Sequence, residues 1–461
     1  MTATQPARGM RDFLPEDLRR REYVIGVIRD VYERYGFEPL ETPAVENIET
    51  LLGKYGEEGN KLIFKILKRG EHEASGEADL ALRYDLTVPL ARVVAEYQAK
   101  LPKFFKRYQI QPVWRADRPA RGRFREFFQC DVDVVGSTSL MVEVELCSAV
   151  SDVLTRLNFH DFSIRLNHRG LLKLLLEALL NLPAPTHAQA LVALDKLDKI
   201  GIDGVADELE KRGILSRSAS LAGLRGMSEH ALPKPLPPSL KGLIPQEQRL
   251  EKLRQAILGL QPNVDLAPIE DLVQVLRLSE KTSASGRVVI DPFIARGLDY
   301  YTGAIMEIAV PDLAGSLGGG GRYDNLIGMF LGRDIPACGF SLGLERILVV
   351  MSERNLFPES VVRGPSDIMI TQWSEETRAE ALALAATLRA AGVRVDVYPE
   401  VDKIGKQFKY ASARHVPLVA VLGDEERGRG EVTIKDMRSG EQHAVGLNQV
   451  TGYVRDALSM G

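Results

Sequence analysis

The sequence has few cysteines, no long apolar segment and little net charge, and each shortage excludes a class of protein. Its 461 residues include only three cysteines, Cys130, Cys147 and Cys338, too few and too scattered for a disulfide framework or a cysteine-rich zinc site. No apolar run approaches the roughly 20 residues of a membrane-spanning helix. The opening MTATQPARGMRDFLPED lacks the apolar centre of a secretory signal. We therefore expect a protein of the reducing cytoplasm with no membrane span.

The small net charge limits how the protein can meet a polyanion. A formal charge of −4, with 26% charged and 45% hydrophobic residues, is ordinary for a globular chain and excludes a largely disordered one. Because the protein as a whole would weakly repel a nucleic acid, local clusters of basic residues would have to bind it. At roughly 100–200 residues per domain, the length predicts two to four folded units.

Hydrophobic periodicity in the first third of the chain predicts a sheet covered by helices. Residues 16–35 carry apolar side chains at helical spacing and predict an amphipathic helix. Long strand-like runs joined by short turns between 61 and 167 are interrupted by helical patterns near 86–98 and 139–157. Strands of this kind, without repeating βαβ units, favour a mixed or antiparallel sheet.

The rest of the chain changes pattern twice. Leu-rich sequence makes 169–282 a predicted helical insertion, with a Pro-rich break at 232–245 that cannot be regular structure. Sheet-like sequence resumes at RVVIDPF and leads through ACGFSLG into the helix LERILVVMSER. After Pro365, strands and helices alternate at the spacing of a small α/β domain.

Basic side chains are densest between 100 and 126, where nine Lys and Arg residues accompany the acids Asp117 and Glu126. Within this segment ADRPARGR predicts a turn between two strands, so arginines would project from a hairpin. Arginine suits phosphate because its planar fork donates two parallel hydrogen bonds and stays charged. A solvated hairpin without a ligand also explains the charge, but Arg115 follows the apolar pair Val113–Trp114 and is expected at the end of a buried strand.

The strand after the hairpin carries Gln129, Asp131 and Asp133 in alternation. Gln129 and Asp133 share one face because side chains alternate with period two. An amide and a carboxylate side by side suit a ligand with both donors and acceptors. A hydrated sheet face without a ligand fits the pattern equally well.

Two glycine-containing segments follow the insertion. In ARGLDYYTG (295–303), Arg296 beside a glycine can reach a phosphate with its backbone close to the ligand, whereas Tyr300 and Tyr301 also fit as plain strand residues. The four glycines of GSLGGGGRYD (315–324) match neither the Walker A nor the dinucleotide pattern. For this run a flexible loop is the expectation.

A last candidate is Arg346 in FSLGLERIL (340–348), near the start of a predicted helix. An arginine there adds positive charge where the helix dipole is already positive, a placement that favours a bound anion. A surface arginine without a ligand is the alternative.

The order of these segments along one chain resembles the class II histidyl-tRNA synthetase family. The likeness is carried by RGMRDFLPED, Arg-Tyr-Asp-Leu-Thr at 83–87, FREFFQCDVDVVG, RGLDYYTG, GGGGRYD and GLERIL. It implies an α+β fold, with an antiparallel sheet flanked by helices, a helical insertion and a C-terminal α/β anticodon-binding domain. The implied segments are a catalytic core at 1–168 and 283–358, an insertion at 169–282 and an anticodon-binding domain at 364–461.

The resemblance also implies an activity: ATP-dependent ligation of L-histidine to tRNA(His) through a histidyl-adenylate, with Mg²⁺, by a cytoplasmic homodimer whose interface includes Pro43. Arg296 and Arg115 would be catalytic at the α-phosphate. Contacts to histidine would come from Asp85, Leu86, Thr87, Gln129, Asp133, Tyr300 and Tyr301. Contacts to ATP would come from Arg115, Asp117, Arg123 and Arg346. No residue is implied as a protein metal ligand.

This chain departs from the family pattern at one motif. Many bacterial members carry Arg-Pro-Glu-Gly-Thr where residues 83–87 read Arg-Tyr-Asp-Leu-Thr, the form usual in eukaryotic and archaeal members. The carboxylate of Asp85 is therefore one methylene shorter, so the geometry around the α-amino group must differ slightly.

Two other functions share this fold. A histidine-sensing regulatory subunit of ATP phosphoribosyltransferase usually lacks the motif arginines and the C-terminal domain, whereas Arg115, Arg296 and Arg346 are present here and about 95 residues follow Pro365. A signalling protein with a degenerate synthetase domain would carry kinase sequence in a much longer chain.

Replacing Arg296 by alanine is expected to lower the rate of adenylation by roughly 10²–10³-fold, because losing one such charge-stabilising contact costs about 3–4 kcal/mol in the barrier. The fold should stay intact. Histidine-dependent exchange of labelled pyrophosphate into ATP, measured on the purified variant, checks this. An unchanged exchange rate would remove Arg296 from the mechanism.

Overall fold

A computed structural model describes residues 4–70, 75–228, 246–295, 300–313, 315–362 and 364–459. The chain forms two compact units, Met1–Phe357 and Pro358–Gly461. Each unit has its own buried apolar core around its own sheet. The Pro-rich break at 232–245 and Arg296 lie outside the described residues.

Eleven described strands make up the two sheets of the first unit. In chain order they are β1 (Glu38–Pro39), β2 (Val45–Asn47), β3 (Lys65–Leu67), β4 (Ala78–Leu82), β5 (Phe105–Trp114), β6 (Glu126–Val135), β7 (Ser163–His168), β8 (Val288–Ile290), β9 (Ala304–Ala309), β10 (Gly318–Arg322) and β11 (Ala337–Gly343). The large sheet has the order β1-β5-β6-β11-β10-β9-β7-β8, and the small one β2-β4-β3. All inner pairings of the large sheet are antiparallel, while β1–β5 and β7–β8 are parallel at its edges. The predicted antiparallel sheet is therefore confirmed, with a parallel pair at each edge.

The first unit has thirteen described α-helices. In chain order they are α1 (Pro15–Arg34), α2 (Ile48–Leu51), α3 (Gly56–Asn60), α4 (Thr87–Tyr97), α5 (Met141–Arg156), α6 (Arg169–Ala178), α7 (His187–Leu194), α8 (Leu197–Lys211), α9 (Arg217–Ser228), α10 (Gln246–Leu260), α11 (Ala267–Ser279), α12 (Gly328–Leu331) and α13 (Leu344–Glu353). Of these, α1, α5, α6, α11 and α13 pack on the large sheet. The helices predicted at 16–35, 86–98 and 139–157 correspond to α1, α4 and α5. In the described ranges, no helix combines the length and apolarity that a membrane crossing needs.

The predicted insertion is helical and interrupts the sheet. Helices α6 to α11 lie in sequence between β7 and β8, two strands that pair in parallel. Parallel neighbours need a crossover connection, and here that crossover has grown into a helical segment. Its apolar side chains, such as Leu175, Leu194 and Leu272, join the same core as the sheet.

The glycine run is a buried strand, so the expectation of a flexible loop was wrong. Gly318–Gly321 form most of β10, which pairs with β9 on one side and β11 on the other. A Cβ on Gly320 would lie 2.0 Å from the carbonyl oxygen of Gly339, and one on Gly321 would lie 2.4 Å from that of Ala304. The glycines therefore allow the backbones of β9 and β11 to lie close to β10. Hydrophobic periodicity alone does not reveal this.

The second unit has five described strands and five helices. They are β12 (Ile368–Ile370), β13 (Val395–Val397), β14 (Leu418–Val421), β15 (Glu431–Asp436) and β16 (Gln442–Gly446), with α14 (Glu359–Val362), α15 (Arg378–Ala390), α16 (Ile404–Ala413), α17 (Asp424–Arg429) and α18 (Val450–Ser459). The strand order is β13-β12-β14-β15-β16, parallel over the first three strands and antiparallel after them. Periodicity predicted the α/β alternation but missed the charged α17 and the mostly exposed edge strand β16.

Substituting Gly320 with alanine should destabilise the first unit by about 3 kcal/mol, because the new methyl group overlaps backbone that cannot move aside. A lower urea midpoint in a chemical unfolding curve measures this. Gly26→Ala is the matched control: that glycine is exposed in α1 with nothing within 4 Å of its added Cβ. There alanine should stabilise by up to about 1 kcal/mol. Equal midpoints for both variants would contradict this account of β10.

Candidate active site

One cavity of about 330 Å³ in the first unit brings together most of the residues that the sequence singled out. It lies over β6, β10 and β11. The predicted residues that line it are Asp85, Thr87, Arg115, Asp117, Arg123, Gln129, Asp133, Tyr300, Tyr301 and Arg346. Leu86 is fully buried and does not line the cavity, although its carbonyl oxygen accepts a hydrogen bond from Arg107 Nη2 at 3.3 Å. Arg296 lies outside the described residues.

Arg115 is held at one end of the cavity by three contacts. Its backbone N–H continues the β5–β6 ladder by donating to the carbonyl oxygen of Arg125 at 2.9 Å. Its Nε donates to the carbonyl oxygen of Tyr84 at 3.0 Å, and the guanidinium carbon lies 4.2 Å from the centre of the Tyr84 ring. These contacts fix the orientation of a charged group that would otherwise sample many rotamers.

The tip of the hairpin packs against Arg346. Gly122 has a φ of +68°, and a Cβ there would lie 3.2 Å from Arg346 Cγ. Glycine is therefore favoured at the tip both by the backbone conformation of the turn and by the close contact with Arg346. Arg346 Nη1 donates to the carbonyl oxygen of Ser316. This hydrogen bond offsets part of the unfavourable interaction between an arginine and the positive end of the α13 dipole. Arg123 projects from the same tip, with Nη1 4.0 Å from Asp117 Oδ1. Three arginines thus line one end of the cavity.

The remaining basic residues of the hairpin segment do not form one phosphate-facing patch. Lys106 Nζ pairs with Glu145 at 2.7 Å, and Arg121 pairs with Glu353 on the surface. Arg107, one of the nine basic residues between 100 and 126, is fully buried under the cavity floor. The charge run in sequence is therefore divided in space between surface, cavity and interior.

The cavity floor is acidic. Gln129, Asp131 and Asp133 all lie on the cavity side of β6. Arg107 Nη2 is 2.9 Å from Asp133 Oδ2 but 4.0 Å from Asp131 Oδ2. The hydroxyl of Tyr323 donates to Asp133 Oδ1. The buried guanidinium of Arg107 therefore neutralises Asp133 more strongly than Asp131.

Burial shifts the titration of these acids. It raises the pKa of Asp131 to about 7, against the opposing effect of Arg107 and with a further increase from Asp133. Burial also raises the pKa of Asp133, although Arg107 and the Tyr323 hydrogen bond lower it. At the arginine end, burial raises the pKa of Glu345 to about 7, while the backbone N–H of Phe128 donates to its carboxylate at 2.9 Å.

Asp85 occupies the turn that leads into α4. Its Oδ1 accepts hydrogen bonds from the Tyr55 hydroxyl and from the backbone N–H of Val88, both at 3.0 Å, the second of which caps the helix. Its Oδ2 is buried and receives no hydrogen bond from any residue that the structure describes. A buried carboxylate oxygen without a donor indicates a ligand that brings one.

The turn around Asp85 is itself anchored by Arg83, which is 1% exposed. Arg83 Nε donates to the carbonyl oxygen of Pro112 at 2.8 Å, and Nη1 donates to that of Thr42 at 2.6 Å. These bonds tie the Arg-Tyr-Asp-Leu-Thr segment to β5 and to the chain before β2, so Arg83 acts on the position of Asp85 rather than on a ligand.

Sequence reasoning missed four residues of the site: Arg107, Asp131, Tyr323 and Glu345. The alternation that placed Gln129 with Asp133 also places Asp131 between them on the same face, so that signal was available. Nothing in the sequence distinguished Arg107 from its exposed basic neighbours. Tyr323 and Glu345 reach the cavity only through the pairing of β10 and β11 with β6.

The two ends of the cavity differ in chemistry. Arginine side chains at one end suit an anionic ligand such as a phosphate chain. Acceptor oxygens at the other end, on Asp85 and along β6, suit a ligand that carries N–H donors. The arrangement can therefore hold two ligands of opposite polarity side by side.

Comparisons with known proteins agree with this geometry. A family model described as histidyl-tRNA synthetase matches residues 9–347, and one described as anticodon binding domain matches residues 367–457. A histidine--tRNA ligase of Porphyromonas gingivalis is 41% identical over 96% of this chain and 97% of its own. One of Gloeobacter violaceus is 39% identical over 95% and 96% respectively.

Solved structures show the same likeness. Histidyl-tRNA synthetase from Nostoc sp. PCC 7120 superimposes with a TM-score of 0.80 at 29% identity, covering 99% of this chain and 100% of that one. An ATP phosphoribosyltransferase regulatory subunit/histidyl-tRNA synthetase from Bacillus halodurans C has a TM-score of 0.68 at 21% identity over 91% of this chain and 98% of that one, a likeness of fold alone. Because the first family model spans more than half of the sequence, the chain belongs to the histidyl-tRNA synthetase family.

Proposed function

We propose that this chain joins L-histidine to tRNA(His) in two steps, first forming a histidyl-adenylate from histidine and ATP and then transferring the histidyl group to the RNA. Membership of the family makes the chain an aminoacyl-tRNA ligase. The observation that carries the two-step proposal is the division of the cavity, with arginines at one end and acceptor oxygens without donors at the other. The triphosphate of ATP suits the arginine end, and the N–H donors of histidine suit the end with the acceptor oxygens.

The first step needs positioning and charge neutralisation more than proton transfer. The nucleophile is the carboxylate of histidine, which is already ionised near neutral pH. Charge that gathers on the α-phosphoryl group has to be neutralised while the two reactants are held in line. Arg115 and Arg296 would act there, and Arg123 and Arg346 would hold the rest of the nucleotide.

Histidine would lie with its ammonium group against Asp85 and its ring against β6. The donor-free Oδ2 of Asp85 fits the ammonium, and Thr87 lies beside it at the start of α4. Leu86 would act through the backbone that joins these two residues. Gln129 and Asp133 would bind the ring beside Tyr300 and Tyr301, whose own rings meet edge to face with their centres 5.0 Å apart.

Mg²⁺ would be bound chiefly by the nucleotide. In the described part of the chain no three His, Cys, Asp or Glu residues form a cluster that could hold a metal ion. Magnesium in nucleotide sites takes one or two carboxylates and fills its other positions with phosphate oxygens and water. Asp117 and Glu345 are carboxylates that line the arginine end and fit that need. When bound, the ion would neutralise phosphate charge.

The RNA would contact the second unit and the insertion, so we assign 364–461 to anticodon binding and 1–168 with 283–358 to catalysis, around the insertion at 169–282. Lys403 and Lys409, on and beside α16, are exposed. Lys406 and Arg414 are already paired with Asp402 and Asp396, both at 3.1 Å. A contact limited to a few phosphates should weaken as salt rises.

We also propose a homodimer in the cytoplasm. The small sheet of β2, β3 and β4 exposes Val45, Leu67 and Leu80, and its first strand begins two residues after Pro43. Apolar side chains exposed on a short sheet suit burial against a second copy. The three cysteines are buried free thiols, the state that a reducing compartment maintains.

Arg115→Ala is expected to slow histidine-dependent pyrophosphate exchange by roughly 10²–10³-fold, because a charge aimed at the reacting phosphate is lost. The matched control is Arg121→Ala on the same hairpin, whose guanidinium pairs with Glu353 on the surface. The control should change the rate by less than about threefold, since exposed ion pairs contribute little. If both variants exchange at the same rate, Arg115 is not part of the reaction.

A further inference from the structure

We propose that Asp131 binds the imidazole ring of histidine through one shared proton, so that the complex holds a single proton between this carboxylate and the ring. The inference rests on the proposed function, because it takes histidine as the ligand of the acidic floor. It adds a residue to the site and fixes the protonation state in which the substrate is recognised.

The first observation is that the atoms of β6 left free in the floor are acceptors. Gln129 Nε2 already donates to Ser341 Oγ at 2.9 Å. Two buried oxygens on β6, Gln129 Oε1 and Asp131 Oδ1, receive no hydrogen bond from the described part of the chain, and Asp133 Oδ2 is paired only with Arg107. A neutral imidazole carries one N–H donor and one bare nitrogen, so it can satisfy one of these carboxylates but turns a lone pair towards the other. One added proton converts that repulsion into a hydrogen bond.

The second observation is that the two carboxylates are unequally neutralised. Asp133 has Arg107 at 2.9 Å and the Tyr323 hydroxyl as partners. Asp131 is 2% exposed, and its nearest cation, the same Arg107, is 4.0 Å away. The shared proton therefore belongs with Asp131, while Asp133 can stay ionised and accept the N–H of the ring.

The groups that face Asp131 from each neighbouring element agree with this assignment. Arg107 on β5 and a hydrogen bond from Ser341 on β11 lower the pKa of Asp131, whereas Asp133 on β6 itself and Asp85 in the turn before α4 raise it. Two of these are acids and one is a cation, so the surroundings of Asp131 are negative when all are ionised. Closely spaced buried carboxylates hold a proton for this reason, and the pKa of Asp131 is raised to about 7.

The proton count predicts how binding depends on pH. Free imidazole titrates near pH 6.5 and Asp131 near 7, whereas the complex holds one proton between them. At low pH both free partners are protonated and one proton must leave on binding. At high pH neither is protonated and one must be taken up. Histidine affinity should therefore peak near pH 7 and fall on either side, with a slope that approaches about tenfold per pH unit away from the maximum.

The test compares the chain as it stands with Asp131→Asn. An asparagine amide can donate to the bare ring nitrogen, so the variant binds neutral imidazole and needs no extra proton. Calorimetric titration with histidine, in buffers of different ionisation enthalpy, counts the protons. At pH 5.5 both proteins should release about 0.9 proton. At pH 8 the unmodified chain should take up about 0.9 proton more than the variant.

Protonation of the ammonium group contributes equally to both proteins and cancels in this difference. Should the variant not bind histidine, the uptake by the unmodified chain decides alone, after subtraction of the ammonium contribution known from titration of free histidine. Equal uptake at pH 8, or none by the unmodified chain, overturns the shared proton.

A kinetic measurement separates this inference from the proposed function. The KM for histidine in pyrophosphate exchange should rise about fourfold from pH 7 to pH 8, while the KM for ATP stays nearly constant. If exchange proceeds with a histidine KM that does not change with pH, only the role of Asp131 is wrong. If no exchange depends on histidine at any pH, the proposed function itself fails.

Discussion

The site depends on one buried guanidinium placed beneath two buried carboxylates. Register puts it there: Arg107 on β5 pairs with Asp133 on β6, which pairs with Gly339 on β11. A Cβ on Gly339 would lie 1.8 Å from Asp133 Oδ1, so the neighbouring strand must carry glycine for the carboxylate to fit. Losing Arg107 would leave uncompensated charge in the interior, a loss that typically costs 3–5 kcal/mol. The acidic floor is therefore a property of the paired strands, and a shift of register by one residue would turn it to the opposite face of the sheet.

The arginine end follows from the same sheet. The hairpin between β5 and β6 folds back so that Gly122 packs on Arg346, and β11 runs directly into α13, which carries Arg346. The hairpin leads into β6, and Arg346 lies three residues beyond the end of β11. The arginine side chains are thus positioned by the same two strands that form the acidic floor. A carboxylate held over the floor would lie beside a phosphate held by the arginines, which is the proximity that adenylate formation needs.

Much of the fold follows from sequence periodicity, and most of what was missed depends on contacts distant in sequence. The helices at 16–35, 86–98 and 139–157 and the helical insertion were predicted because amphipathic spacing is local. The glycine run of β10 was misread as a loop because its reason, the backbone of Gly339 across the strand pair, is remote in sequence. Arg107 looked like its exposed neighbours because burial of a charge depends on partners such as Asp133. Asp131 is different, since the alternation that identified Gln129 and Asp133 already placed it on the same face.

The most direct measurement of the central claim is a crystal structure of the chain with histidine and a non-hydrolysable ATP analogue. The account predicts that the ammonium group lies on Asp85 Oδ2, that the ring contacts both Asp131 and Asp133, and that Arg115 touches the α-phosphate. A histidine ring outside hydrogen-bond distance of both carboxylates, or a triphosphate away from Arg115 and Arg346, would contradict the account.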